Sequence, residues 1–409
     1  MSWYSQMSTT ERRTFTAAFG GWALDAFDFM VFTFVIATVS ALFHIDKGQA
    51  GMLATITLLF SAVGGWLAGI LADRFGRVRV LQATILWFSV CTMLIGFAQN
   101  YEQILVLRAL QGLGFGGEWA VGSVLMGEMV RTEYRGRAVG TVQSGWAVGW
   151  GMAAVLYTAA FTWLPEEYAW RALFWVGIIP AILVLYIRRH VPEPEMFQRT
   201  QKKEAASLHR TSAWAIFSPG LLKTTLLTSL LCTGVQGGYY AVTTWLPTFL
   251  KTERHLSVIG TGGYLLVIIV GSFLGYIVGA YLTDRLGRRA NLLIFAVLSG
   301  VTVYAYTQLN LSNQQMLYLG FPLGFAASGI FSGMGAYLTE LFPSAVRATG
   351  QGFAYNFGRA IGALFPSLVG YLANTHGLGV AIGMFASGAS LVVFLTAMLL
   401  PETKGRELS

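Results

Sequence analysis

Five ionisable residues stand inside long apolar runs: Asp25 and Asp28 in GWALDAFDFM, Arg108 and Glu118 in RALQGLGFGGE, and Arg359 in NFGR. At the centre of a bilayer each would cost at least ~2.5–3.5 kcal/mol, so each should face a partner or a polar cavity. An arginine there stays charged, and its planar fork matches a carboxylate with two hydrogen bonds. A carboxyl group can be a fixed partner for an arginine or a place to load a proton. Three acids against two arginines leave one negative charge in excess, and an entering anion would add to it. Protonating one acid relieves that excess. Asp25 and Asp28 are three residues apart and share one helical face. The blander alternatives are a permanent pair between Arg359 and Glu118 or an aspartate, and an Arg108 that snorkels outward or braces packing.

The rest of the chain says what must hold these groups. Of 409 residues, 55% are hydrophobic, 14% aromatic and 11% charged, where soluble domains carry about 25% charge. So few charges cannot cover a soluble protein of this size, and the class is integral membrane. The net charge of +8 comes from basic residues in short loops, not along one face, which excludes nucleic acid as a partner. Cys91 and Cys232 lie in apolar runs and form neither a disulfide nor a metal site. The five histidines fall in or beside loops, which argues against an embedded histidine relay. GLGFGG follows no strand and is not a nucleotide loop. With no metal cluster, nucleophile–base pair or phosphate loop, neither a cofactor nor enzymatic chemistry is expected. MSWYSQMSTTERR has no signal-peptide pattern.

Twelve apolar segments approach the ~20 residues a spanning helix needs: 14–43, 49–72, 80–97, 103–128, 137–162, 171–188, 221–249, 258–283, 290–308, 315–340, 348–373 and 379–400. The predicted fold is all-α, with six helices in residues 1–188, a polar linker at 189–213 and six more in 214–409. Twenty-one of the 27 Lys and Arg fall at the termini and in alternate loops, against four on the other side, which places both termini in the cytoplasm. GILADRFGR reappears as GAYLTDRLGR, with Asp73 and Asp284 211 residues apart, and Glu128 and Arg135 recur as Glu340 and Arg347. Such parallel repeats imply two bundles about an axis along the membrane normal, with a site between them near the midplane.

Asp25 lies 12 residues beyond Arg13, and Arg359 lies 12 beyond Arg347. At about 1.5 Å per residue both are roughly 18 Å deep in a ~30 Å hydrocarbon layer. Gln236 reaches a similar level, with Tyr239 and Tyr240 beside it; Gln143 and Asn356 are further polar candidates. Singly, each is more often packing than ligand contact. Together they suit a moderately polar, aromatic-walled site for a small organic anion. Pro247 and the paired glycines of the seventh helix allow bending, as do Gly20 and Gly21 in the first.

GILADRFGRVR after the second helix, its echo GAYLTDRLGRR after the eighth, the fourth-helix stretch Arg108–Glu118, and the half-ends VPEPE and PETKGRELS resemble the motifs of the major facilitator superfamily. GWALDAFDF, GGEW and Asn356-Phe-Gly-Arg359 resemble its sialate:proton symporter branch, which includes carriers of sialic acid and of lactate or pyruvate. Parts of the pattern also resemble aromatic-acid and muconate carriers. The resemblance implies two pseudo-symmetric six-helix bundles and proton-coupled uptake of a small organic acid by alternating access, with a monocarboxylate favoured over sialic acid. Arg359 and Arg108 would bind the anion with Gln236, Tyr239, Tyr240, Asn356 and Gln143; Asp25, Asp28 or Glu118 would carry the proton. Asp73, Arg77, Glu128, Arg135 and Arg137, with Asp284, Arg288, Glu340 and Arg347, would form cytoplasmic gating networks. The expected setting is a bacterial inner membrane, with one chain sufficient for function and lipid as its surroundings. Proton-driven efflux is the competing reading; SGWAVGWGMAA in the fifth helix lacks the proline typical of those antiporters.

Overall fold

The computed structural model describes residues 3–129, 141–193, 213–342 and 347–404. Long helices dominate, and no strand occurs among the described residues. In chain order they are α1 Thr9–Phe43, α2 Lys47–Phe75, α3 Arg77–Ile95, α4 Tyr101–Met129, α5 Gly145–Trp163, α6 Glu166–Val176, α7 Pro180–His190, α8 Leu222–Thr252, α9 Val258–Leu286, α10 Arg288–Gln308, α11 Asn313–Leu341, α12 Arg347–Gly362, α13 Phe365–His376 and α14 Leu378–Leu399. Among the described residues, eight segments are long and apolar enough to span by themselves. The fourth, fifth, seventh and eleventh spans complete the twelve of the sequence pattern.

Two spans are broken where a single helix is expected. α6 and α7 together form the sixth. Pro180 has no N–H to give the helical ladder, and short-range bonds bridge the gap, Ile179 N to Val176 O at 2.9 Å and Ala181 N to Ile178 O at 3.0 Å. The eleventh span breaks between α12 and α13, just before Pro366. The carbonyl of Pro366 accepts from Trp245 Nε1 at 2.9 Å, and the N–H of Ser367, freed at the start of α13, donates to Thr55 Oγ1 at 3.1 Å. Backbone groups released inside a membrane need such partners. By contrast α1 runs unbroken through Gly20 and Gly21, and α8 through Pro247.

The chain divides into two compact units: Met1–Thr38 with Ile56–His209, and Val39–Thr55 with Arg210–Ser409. The turn between α1 and α2 therefore packs with the second unit. The first unit has a core of α3, α4 and α7 side chains, including Phe88, Leu125 and Ile187. The second has one built on α8, α10, α11 and α14, including Leu231, Phe295, Tyr337 and Val393.

Glycines set the closest helix contacts. On α9, Gly271 and Gly275 face the backbone carbonyls of Phe321 and Phe325 on α11. On α4, Gly112 and Gly116 face those of Thr57 and Ser61 on α2. Any side chain at these positions would strike backbone, so small residues let the membrane helices approach. The duplication also reaches local geometry. His44 and His255, 211 residues apart, both adopt left-handed backbone where α1 and α8 end. Gly76 and Gly287 both hold positive φ where α3 and α10 begin.

Candidate functional site

In the first unit, the acids of α1 and α4 come together. Asp25 is fully buried, Asp28 is 2% exposed and Glu118 is 4% exposed. The Asp25 and Glu118 carboxyl groups lie within hydrogen-bonding reach of each other. An ionised carboxylate only accepts, so such a pair bonds when one member carries a proton. Gly21 makes the arrangement possible: a Cβ there would collide with Glu118 Oε1. The glycine thus clears space for a carboxyl group, and α1 does not break at it. Asp28 lies within hydrogen-bonding reach of Thr92 of α3. Together with Asp25, Thr57 and Gln111 it lines a cavity of about 10 Å³, the scale of a single water.

Arg108 is fully buried and does not snorkel. Its Nη1 donates to Gln111 Oε1 at 2.7 Å, and Gln111 Nε2 donates to Thr92 Oγ1 at 2.6 Å. Its guanidinium lies 4.1 Å from the centre of the Phe32 ring, a cation–π contact. Thr57 Oγ1 donates to its backbone carbonyl at 3.1 Å. The chain Arg108–Gln111–Thr92 ties α4 to α3 beside Asp28. Trp22 and Trp146, 4.9 Å apart, and the stacked Phe29 and Phe115 at 5.3 Å wall the same region.

In the second unit, the polar residues gather on Arg359 of α12, which is 2% exposed. Its Nη2 donates to the Tyr355 hydroxyl at 3.5 Å, and its guanidinium lies 5.1 Å from the centre of that ring. It also hydrogen-bonds the Tyr240 hydroxyl. Gln236 Nε2 donates to the Tyr355 carbonyl at 2.9 Å, and the Tyr240 hydroxyl donates to Gln236 Oε1 at 3.4 Å. Tyr239 stands edge-on to Tyr240 at 6.2 Å and to Phe331 at 5.3 Å. Four of the predicted binding residues, Arg359, Gln236, Tyr239 and Tyr240, are therefore one cluster. Asn356 is on the same helix, but its amide donates to the Gly352 carbonyl at 3.1 Å. Gln143 is half-buried just before α5.

The 211-residue repeat carries Asp25 onto Gln236 and Asp28 onto Tyr239. Equivalent positions in the two units thus hold acids in one and neutral groups beside an arginine in the other.

Of the predicted gating residues, Arg288 and Glu340 meet directly, with Nη2 to Oε1 at 2.9 Å and Nε to Oε2 at 3.1 Å. Thr403 Oγ1 donates to Glu340 Oε2 at 2.6 Å. Arg77 Nη1 donates to the Ala72 carbonyl at 2.8 Å, and Arg288 Nη1 to that of Thr283 at 2.9 Å, the same bond in each repeat. The side chains of Asp73, Glu128, Asp284 and Arg347, and all of Arg135 and Arg137, lie outside the described residues.

Two glutamates at the ends of the halves escaped the sequence reading as site residues. Glu193 Oε1 accepts from Val78 N at 3.0 Å and Arg79 N at 3.2 Å. Glu402 accepts from Arg288 N at 2.9 Å and Arg289 N at 3.0 Å. Each carboxylate caps the helix that follows a DR(F/L)G motif, where free N–H groups attract negative charge. A Cβ at Gly76 would come 2.5 Å from Glu193, and one at Gly287 2.6 Å from Glu402. Partial burial raises the Glu402 carboxyl, but four backbone N–H groups (Lys404, Arg288, Thr403, Arg289) outweigh it and hold the group below the ordinary glutamate value. The signal was present as Pro192-Glu193 and Pro401-Glu402.

The chain matches the Major Facilitator Superfamily over residues 18–281 and 266–408. The chain belongs to that superfamily. It is a multi-pass membrane transporter with twelve membrane spans in two pseudo-symmetric bundles. Among superfamily relatives, it is 44% identical over 407 residues to a probable 4-methylmuconolactone transporter of Cupriavidus pinatubonensis, covering 99% of this chain and 94% of the relative. It is 33% identical to the cis,cis-muconate transport protein of Acinetobacter baylyi, covering 94% and 93%. The sialic acid transporter NanX of Escherichia coli is 26% identical, covering 96% and 95%. The superfamily fold is shared with the xylose transporter XylE of E. coli, with a TM-score of 0.76 at 18% identity, covering 98% of this chain and all of that one.

Proposed function

We propose that this transporter takes up an organic acid anion together with protons, and that the acid is a flat, unsaturated carboxylate of the muconate or muconolactone kind. The observation that carries this reading is the Arg359 cluster. A guanidinium 2% exposed inside a membrane span lies among the phenols of Tyr355 and Tyr240, with Tyr239 and Phe331 adjoining. The guanidinium suits a carboxylate, and aromatic faces and edges suit a conjugated skeleton. The relatives named for 4-methylmuconolactone and cis,cis-muconate support the same chemistry. They favour it over the lactate or pyruvate substrate to which the sequence pattern leans, and over sialic acid, named for a more distant relative.

Proton coupling rests on Asp25 and Glu118, whose carboxyl groups sit within hydrogen-bonding reach, with Asp28 beside them. Entry of an anion and loading of a proton keep the buried charge balanced, which gives symport a physical reason. Arg108 is assigned to the same interior, holding α3 and α4 in place beside the acids. Transport proceeds by alternating access, with the Arg288–Glu340 contact and its first-half counterpart as gates. Both termini face the cytoplasm, in keeping with the distribution of Lys and Arg, and the bacterial relatives support an inner-membrane setting.

The test is uptake by the purified chain in proteoliposomes. The labelled panel holds cis,cis-muconate, a muconolactone, benzoate, lactate, pyruvate and sialic acid. An inward proton gradient is expected to drive accumulation of the unsaturated acids. If no organic anion accumulates above the level without a gradient, the reading fails.

A further inference from the structure

A groove of about 420 Å³ runs along the outside of the first unit between α2, α3 and α4. Its walls are apolar, with Leu71 and Phe75 of α2 and Trp87 of α3 exposed along it. From Gly64 to Phe75 it follows α2 for roughly 16 Å at 1.5 Å per residue. That is close to the depth of one leaflet of a ~30 Å hydrocarbon layer. Trp87 stands at the deeper end, where its Nε1 donates to the Leu110 carbonyl at 2.8 Å. Arg79, near the start of α3, stands at the other. Arg79 is exposed, and what it gives Glu193 is its backbone N–H, at 3.2 Å, so its guanidinium takes no part in that cap. Gly64 and Gly275, 211 residues apart, face equivalent backbone, the carbonyl of Leu113 and that of Phe325. The same spacing carries Thr84, which lines the groove, onto Phe295. In the second unit Phe295 and Phe325 therefore stand where the first has Thr84 and Leu113, with their rings 5.6 Å apart. Arg79 is carried onto Ala290 and Trp87 onto Leu298. Cation and tryptophan thus belong to one copy of the plan, and in the other two phenyl rings stand in the groove's place.

We propose that this groove is a site for an anionic phospholipid, with an acyl chain laid along α2 and α3 and the phosphate paired with Arg79. The walls are exposed apolar surface in a membrane-spanning region, which an acyl chain covers without desolvating a polar group. The groove has the length of one leaflet, so a chain that fills it brings its headgroup to Arg79. A guanidinium makes two parallel hydrogen bonds to a phosphate, and basic groups where a span meets the membrane surface attract anionic headgroups. A zwitterionic lipid offers the same chain but carries its own cation beside the phosphate, so it gains less from Arg79.

The purified full chain in detergent is given an equimolar mixture of phosphatidylglycerol and phosphatidylcholine with identical acyl chains, and the first lipid retained is identified by native mass spectrometry. Phosphatidylglycerol is expected to be preferred about 5-fold, the scale of one arginine acting on an anionic headgroup. Arg79→Gln should remove that preference while the total lipid retained falls little. Ala83 lines the groove on the exposed face of α3, and Ala83→Trp, which fills it with an indole, should lower retention of both lipids. Either variant carries the test if the other does not fold. Equal retention of the two lipids by the unaltered protein, a preference that survives Arg79→Gln, or retention untouched by Ala83→Trp overturns the site. A dimer that disappears in Ala83→Trp overturns it too, and gives the groove to a second copy of the chain. The organic-acid reading is tested separately by uptake and stands or falls without this site.

Discussion

Asp25 and Glu118 come from helices α1 and α4, and they meet because Gly21 has no side chain. That contact divides the three buried acids into a pair and a neighbour. Asp25→Asn or Glu118→Gln removes one proton site from the pair. Each is expected to abolish proton-driven accumulation while substrate exchange at equal pH persists, as read by counterflow in proteoliposomes. Full accumulation by both variants would move the proton to Asp28. On the other side of the repeat, Arg359→Lys keeps the charge and loses the fork. It is expected to weaken acid binding at least ~10-fold, since a planar bidentate contact is not reproduced by a point charge. Unchanged affinity would take Arg359 out of the site. The identity of these residues was legible in the sequence, because a charge inside an apolar run is expensive wherever the run folds. Their partners were not. Gln111 and Thr92 are ordinary residue types in a membrane helix, and nothing in their spacing marks them.

Among elements, the informative features are where helices start and where they break. α3 and α10 begin on glycines with positive φ, each under a glutamate from the end of its own half. Glu402→Gln should lower stability by about 1 kcal/mol at neutral pH, the usual worth of a cap. The sign of its pH dependence follows from the lowered carboxyl. The contribution is fully present above the ordinary glutamate range and is lost as pH falls through the lower folded value. The gap in unfolding temperature between Glu402→Gln and the unaltered protein should therefore close in acid; a gap that widens there would contradict the assignment. The twelve spans were legible from apolar length, but the breaks before Pro180 and Pro366 were not expected. Pro247 and Pro322 show why: they sit inside unbroken helices. Whether a proline breaks a span depends on what receives the freed backbone groups, as Thr55 does for the Ser367 N–H beside Pro366.

For the whole molecule, duplication with divergence is the organising fact. The repeat conserves the helix starts, the left-handed histidines and the Arg77 and Arg288 backbone bonds. It does not conserve the interior, where Asp25 and Asp28 become Gln236 and Tyr239. One unit holds the acids and the other the Arg359–tyrosine cluster, so on the proposed function proton and anion would be served by different copies of one plan. The Arg288–Glu340 pair is partly exposed, and such pairs are individually weak, which suits a contact that must break and re-form. Arg288→Glu should alter the maximum uptake rate more than substrate affinity, and the swap Arg288→Glu with Glu340→Arg should restore it in part. No change in rate would remove the pair from gating. The sequence by itself determined the membrane class, the number of spans, the repeat and the short set of buried charges. Those follow from local quantities: apolar length, charge cost and residue spacing. Which carboxyl faces which, which phenol faces Arg359, and where a span breaks were decided by tertiary structure. They depend on which faces of distant helices meet, and glycine contacts such as Gly21 with Glu118 and Gly275 with Phe325 set that.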